Sequence, residues 1–318
     1  MKAAVVRSFD HPPRYEEFAA PQPAEGQVQV EMLAAGLHPR VRSGANGSHY
    51  TSDQQLPMIP GVDGVGRLPE GRTLYFVADD DDLGTMASVA VVDPRRSVEV
   101  PAGVDPVLIA AAMNPAMSSW VALRRRISFA PGQSVLVLGA TGNAGQLAVQ
   151  IARHLGAASI VAAGRDPERL ELLTDLGATA VVSQAGDPAE AAGRLGEAAA
   201  DVDVVIDYTW GKPTELAIPA LATRRTDRSK QLTWIQIGSM AGLEINLPSF
   251  VLRAANLQLI GSGQGSVSAA GIVAELPSLI ALLAAGTLTV DPLAVPLSEV
   301  ETAWARSTKP GQRVVLVP

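Results

Sequence analysis

The segment SVLVLGATGNAGQLAVQIARHLGA, residues 134–157, constrains the fold more than any other stretch of the chain. An apolar β run ends at Gly139, and the turn that follows carries glycines at 139, 142 and 145. Apolar residues then recur at Ala144, Leu147, Ala148, Ile151, Ala152 and Leu155, the spacing of one helical face. Small residues in such a turn let the backbone approach a pyrophosphate. The helix N-terminus then offers free N–H groups and the positive end of a dipole. A strand before the glycines and a helix after them separate a dinucleotide fingerprint from a chance match. Gly139, Thr141, Gly142, Asn143, Ala144 and Gly145 are therefore candidate cofactor contacts. The alternative is a tight strand–helix turn that holds no ligand.

The next strand, SIVAAG, runs into GRDPERL about twenty residues after the last glycine. An NAD-selective fold places a carboxylate at that strand end to accept from the ribose 2′-hydroxyl. Here Gly164 stands there, followed by Arg165, with Arg169 one helical turn on. A guanidinium without a carboxylate favours a 2′-phosphate, so NADPH is expected rather than NADH. Asp166, just before Pro167, has the pattern of a helix N-cap. Arg169 is either a phosphate contact or a solvent-facing helix residue.

The fingerprint opens a longer alternation. SVLVLG, ASIVAAG, TAVVS, DVDVVIDYT, LTWIQIGS and LQLIGSG read as apolar strands, most separated by helical stretches. That order predicts an α/β fold with a doubly wound parallel sheet, covered by helices on both faces. Before it, KAAVV, QVQVEMLAAG, TLYFVA and ASVAVVD read as short β segments joined by Pro, Gly and Asp turns. PVLIAAAMNPAMSSWVALRRR and AGIVAELPSLIALLAAG each read as one helix, and RVVLV as a final strand. The acidic run DDDD at 79–82 is expected to be a solvated turn. The basic insert TRRTDRSKQ at 223–231 is expected to be a solvated loop, with a phosphate contact as the alternative.

Composition removes whole classes of function. A net charge of −7 leaves no electrostatic footprint for nucleic acid or an anionic membrane. No uninterrupted apolar run approaches the roughly 20 residues of a membrane span. The N-terminus lacks the apolar region of a secretory signal. Cysteine is absent, which excludes disulfides, thiolate chemistry and cysteine-ligated zinc, and suits a reducing cytoplasm.

The order of motifs is similar to that of the medium-chain dehydrogenase/reductase superfamily, in its zinc-free quinone oxidoreductase (zeta-crystallin-like) branch. VEMLAAGLHPRVRSG resembles the family's strand and loop ending in Ala-Gly-Leu-Asn-Pro, and IPGVDGVGRL its Pro-Gly-x-Glu-x-x-Gly segment. AMSSWVAL resembles its Gly-Leu-Thr-Ala-Tyr-x-Ala-Leu helix. LGATGNAGQLAVQIARHLGA, LGATAVV, DVDVVIDYTWG and IQIGSMAG fit closely.

The resemblance implies a mostly-β, GroES-like catalytic domain over 1–122 and 264–318, with a Rossmann NADP-binding domain over 123–263. It implies a nicotinamide near Ser118, Ile237–Gly238 and Gly261, Ser262 and Gly263. Ser118 is either that contact or a helix hydroxyl bonded to its own backbone. It also implies a homodimer that pairs the sixth Rossmann strand, LQLIGSG, across a two-fold axis.

Departures from the family pattern fall on the substrate side. His38 stands where Asn is usual, Val41 where an acid is usual, and the stretch from 67 to 92 is short. In the zinc branch the ligands are two cysteines and a histidine, and the matching positions here are His38, Val62-Asp63 and Asn114. One plausible ligand cannot hold zinc, so no metal is expected.

Without zinc the acceptor must delocalise the arriving charge itself, as quinones and α,β-unsaturated carbonyls do. Tyr50 is the first candidate to hydrogen-bond the oxyanion, or else it only walls the pocket. His38 is the second, as a proton relay, or else a loop histidine capping backbone groups. Two alternatives stay open. One is a non-catalytic NADPH-binding redox sensor or partner-binding protein. The other is an enone or enoyl-thioester reductase of a particular pathway.

Overall fold

The computed structural model describes residues 1–52, 54–78, 83–308 and 311–318. The acidic run at 79–82 lies outside the described residues. The chain divides into two compact units, Met1–Asn114 with Ala269–Pro318, and Pro115–Ser268.

The first unit opens with β1 (Lys2–Val5), β2 (Arg14–Glu17) and β3 (Val28–Gly36), followed by helix α1 (Pro39–Ala45). Strands β4 (Asp63–Arg67), β5 (Thr73–Val77), β6 (Val89–Val92) and β7 (Ser97–Glu99) lead to α2 (Pro106–Val121). The second unit holds β8 (Ser134–Leu138), α3 (Asn143–His154), β9 (Ser159–Gly164), α4 (Pro167–Leu176) and β10 (Ala180–Ser183). It continues with α5 (Pro188–Ala199), β11 (Val204–Asp207), α6 (Gly211–Arg224), β12 (Leu232–Gln236), α7 (Ser249–Ala254) and β13 (Leu257–Gly261). The chain then returns to the first unit through α8 (Ala269–Val273), α9 (Leu276–Ala284), β14 (Asp291–Pro296), α10 (Val300–Ala305) and β15 (Gln312–Val317).

The second unit is the expected doubly wound sheet. Its strands run β10-β9-β8-β11-β12-β13, and every pairing is parallel. Strand β8 reads SVLVL and is buried from Val135 onward, because helices cover both faces and leave no polar side. The strand order reverses between β8 and β11, which opens a crevice beyond their carboxyl ends. Helix α4 shows how local sequence sets the boundaries. Asp166 caps its N-terminus by accepting from Arg169 N, Pro167 occupies the first turn, and Gly177 ends it at φ +118°.

In the first unit the sheet runs β14-β15-β3-β4-β5-β7, with β6 also paired to β3. Two apolar clusters hold it, one around Val5, Ile59, Met86 and Leu316, the other around Met32, Leu74 and Phe76.

Several sequence expectations change. The loop that VEMLAAGLHPRVRSG was likened to is in part a helix, α1, whose Pro39 starts it with a preset φ. AGIVAELPSLIALLAAG is two helices, α8 and α9, because Pro277 suits a first turn and not an interior. Residues 115–122 and 264–268, placed in the catalytic domain, fall in the second unit. Hydrogen bonds account for that, since Ser118 bonds Tyr208 and Arg126 bonds the carbonyls of Gly261 and Ser266.

The helical path Pro106–Arg126 is 21 residues long and apolar enough to cross a membrane. Its most apolar stretch is 67% buried inside the protein, as a core helix is. The basic insert is less solvated than expected. Arg225 is buried, and its guanidinium donates to the carbonyls of Ala200, Val202 and Lys230. Lys230 pairs with Asp203, and Thr226 with Asp201.

Candidate functional site

The turn between β8 and α3 has the shape a pyrophosphate requires. Gly139 takes φ +80°, and a Cβ there would crowd Thr209 and Tyr208 at 3.2–3.3 Å. A Cβ on Gly145 would overlap the carbonyl oxygen of Gly139, so only glycine lets α3 start this close to the turn. Gly142 caps α3 without a side chain, and a Cβ there would meet only Gly139 O, at 3.5 Å. The first turn of α3 carries no acidic residue. That N-terminus is therefore open to an anion, with Asn143 and Ala144 in its first turn.

The end of β9 lacks a carboxylate for a steric reason. A Cβ on Gly164 would overlap Thr141 Cγ2, so Thr141 fills the place an acidic side chain would need. Arg165 beyond it is exposed. Arg169 is partly turned away, with Nε 3.2 Å from Asp166 Oδ2 and its side chain 30% exposed.

On the β11–β13 side, Asp207 organises the turns. Its carboxylate accepts from the backbone N–H of Thr209 and Trp210, both threonine hydroxyls of 209 and 214, and Trp234 Nε1. Its carbonyl accepts from Ile237 N and Gly238 N, at 2.8 and 3.1 Å. Ser262 N donates to Gln236 O, and Gly263 N to Ser266 Oγ. Arg126 holds the same loop by donating to Gly261 O at 2.8 Å. A Cβ on Gly261 would meet nothing within 4 Å, so that backbone faces open space.

Ser118 makes both the contact with its own helix and one the sequence did not signal. Its Oγ donates to Pro115 O at 2.7 Å and lies 2.8 Å from Tyr208 Oη. Burial pushes the Tyr208 phenol up to about 12, against a smaller lowering by the hydroxyls of Ser118 and Ser119. It stays protonated across the ordinary pH range.

In the first unit His38 departs most from expectation. It is 2% exposed, and Nε2 lies 2.9 Å from Asp63 Oδ1. Asp63 Oδ2 accepts from Tyr75 Oη at 2.9 Å, and its carbonyl accepts from Thr85 Oγ1. With Nε2 donating to a carboxylate, Nδ1 is the unprotonated nitrogen, buried and without a hydrogen-bond partner among the described residues. Burial pushes the imidazole below its ordinary value, and the bond to Asp63 opposes this only in part. Arg313 donates to Leu37 O and is drawn down to about 10 by burial, which Asp63 opposes. Asp63, His38, Tyr75 and Arg313 thus form a buried group, where the sequence left His38 as a proton relay or a loop histidine capping backbone groups. Its members are far apart in sequence, which is why no local pattern revealed it.

Tyr50 is 73% exposed and lies beside His49, with ring centroids 4.3 Å apart. A concave groove of about 600 Å³ in this unit lies elsewhere, lined by Leu68, Glu70, Arg72, Val98 and Glu99. It sits at the Arg67–Thr73 end of the β4–β5 hairpin, opposite the Asp63 end, so it adds nothing to the His38 group. Among the described residues no cluster of three His, Cys, Asp or Glu side chains has metal-binding geometry.

The family model described as zinc-binding dehydrogenase matches residues 144–285. A probable NADPH-dependent quinone reductase, tdiC, of Emericella nidulans is 32% identical over 362 aligned positions covering all of both chains. A chloroplastic NADPH-dependent alkenal/one oxidoreductase of Arabidopsis thaliana is 31% identical over 50% of this chain and 45% of its own. The quinone oxidoreductase of Thermus thermophilus, solved also with NADPH, superposes with a TM-score of 0.82 at 27% identity, over all of both chains. The chain belongs to the medium-chain dehydrogenase/reductase superfamily, in its quinone oxidoreductase branch.

Proposed function

We propose that this chain is a reductase that uses NADPH to reduce quinones or other α,β-unsaturated carbonyl compounds, without zinc. The observation that carries it is the cradle at β8–α3. Its N-terminus is capped by a bare glycine, and the neighbouring β9 end has no carboxylate. The names of the tdiC relative and of the alkenal/one oxidoreductase support the substrate class.

Bound NADPH supplies a hydride. The first turn of α3 would hold the pyrophosphate through its N–H groups, and Arg165 would receive the 2′-phosphate, joined by Arg169 on release from Asp166. Ser118, Ile237–Gly238 and Gly261–Gly263 would face the nicotinamide. Tyr50, 73% exposed, would donate a hydrogen bond to the oxyanion that forms on the acceptor.

The residues do not fit zinc. His38 Nε2 is committed to Asp63, and Val62 and Asn114 offer no charged or imidazole donor. The buried Arg313 charge disfavours a second cation there. The edge strand β13, with Leu257, Leu259 and Ile260 only half-buried, supports a homodimer through that edge.

Loss of nicotinamide absorbance on mixing the protein with NADPH and a panel of quinones and enones tests this. Turnover on at least one acceptor is expected, together with slower turnover in Tyr50→Phe. Tight NADPH binding without turnover on any acceptor overturns it in favour of a sensor.

A further inference from the structure

Tyr208 follows the fully buried Asp207 at the end of β11 and is held in place from several sides. Its N–H donates to Leu138 O at 3.1 Å, and its carbonyl accepts from Met240 N at 3.3 Å. A Cβ on Gly238 would come within 2.7 Å of Tyr208 O, and one on Gly139 within 3.3 Å of its Cβ. Two turns assigned to the cofactor therefore pack directly on this residue. Its phenol, 8% exposed in the residue as a whole, ends at Ser118, which is only half-buried.

The hydrogen-bond count at Ser118 is decisive. A hydroxyl has one proton and two acceptor lone pairs. With the Ser118 proton directed at Pro115 O, Tyr208 is the donor at the 2.8 Å contact, beside its second neighbour Ser119. That occupies one lone pair. What Ser118 can still offer a ligand is a single acceptor position and no proton. A partner for that position must carry an N–H or O–H, and on the nicotinamide the carboxamide amine is such a group.

We propose that Tyr208 is a positioning residue which, through its hydrogen bond, presents Ser118 as a pure acceptor to the nicotinamide carboxamide N–H. This rests on the reading that the chain binds NADPH with its nicotinamide at Ser118. Removing the phenol frees Ser118 Oγ to rotate, and one oriented hydrogen bond to the cofactor is lost. Tyr208→Phe keeps the buried ring and removes only the hydroxyl.

The test is the dissociation constant of NADPH, by fluorescence titration without an acceptor, beside that of the reduced analogue carrying an acetyl group for the carboxamide. The analogue has no N–H to donate. Wild type is expected to prefer NADPH, and Tyr208→Phe to weaken NADPH binding about three- to tenfold while leaving the analogue within about twofold. Ser118→Ala should behave alike, and adding Tyr208→Phe to it should weaken NADPH no further. A role limited to packing would shift the melting temperature and weaken both ligands equally, which overturns the proposal. So does NADPH binding by Tyr208→Phe at the wild-type level. Should Tyr208→Phe not fold, equal losses of NADPH and analogue in Ser118→Ala overturn it. Failure of the wild type to bind NADPH would instead overturn the cofactor assignment itself, and this inference with it.

Discussion

His38 donates from Nε2 to Asp63 Oδ1 at 2.9 Å, with both side chains at most 2% exposed. The imidazole is kept below its ordinary value of 6.5 chiefly by burial. Between the two values the unfolded chain binds the extra proton and the folded chain does not. Stability that comes from neutral His38 is therefore complete above about pH 6.5 and is lost as pH falls through the lowered value. Thermal unfolding followed from neutral to mildly acid pH should show a falling midpoint. His38→Gln, which cannot titrate, should flatten that fall, and an unchanged slope would contradict the assignment.

Tyr75 supplies the second donor to Asp63. Tyr75→Phe keeps the ring and leaves Oδ2 short of a partner in a buried place, a loss of about 1–3 kcal/mol in urea unfolding. Burial also holds the phenol well above its ordinary value of 10. Its contribution is full below pH 10 and declines as pH rises further, so Tyr75→Phe should remove part of the alkaline loss of stability.

Gly164 faces Thr141, so a carboxylate cannot simply be added to change cofactor preference. Gly164→Asp alone should destabilise the protein by about 1–3 kcal/mol through overpacking. Combined with Thr141→Ala it should regain stability and shift the NADPH-to-NADH ratio of dissociation constants toward NADH. Melting temperatures and binding titrations of the two variants check both parts.

Trp210 adopts φ 50° and ψ −163°, a backbone conformation suited to glycine. Asp207 holds it there by accepting from its N–H at 3.0 Å. Trp210→Gly and Trp210→Ala both lose the indole, but only alanine retains the strain. The glycine variant should be more stable than the alanine variant by about 1 kcal/mol or more in chemical denaturation. Equal stabilities would show that the turn relaxes.

The nucleotide-binding sheet was legible because its strands are continuous apolar runs and its helices carry one apolar face. Runs such as SVLVL survive any detail of tertiary packing. Strands β2, β4 and β7, reading RYEE, DGVGR and SVE, are short, polar or glycine-rich, and only their neighbours make them strands. Helix α1 was hidden for a similar reason, since PRVRSGA has seven residues and a glycine inside. The glycines of the cofactor turn could be read from spacing alone. The partners of His38 could not, because Asp63 lies 25 residues away and Tyr75 a further 12. Tyr208 reaches Ser118 across 90 residues, and no period or motif encodes such a contact.

The most direct measurement uses NADPH deuterated at the transferring carbon, with an enone as acceptor and mass spectrometry of the product. Reduction should place one deuterium on the β-carbon of the enone and proceed faster with NADPH than with NADH. Cofactor oxidation that leaves no deuterium in the product would contradict hydride transfer as this protein's chemistry.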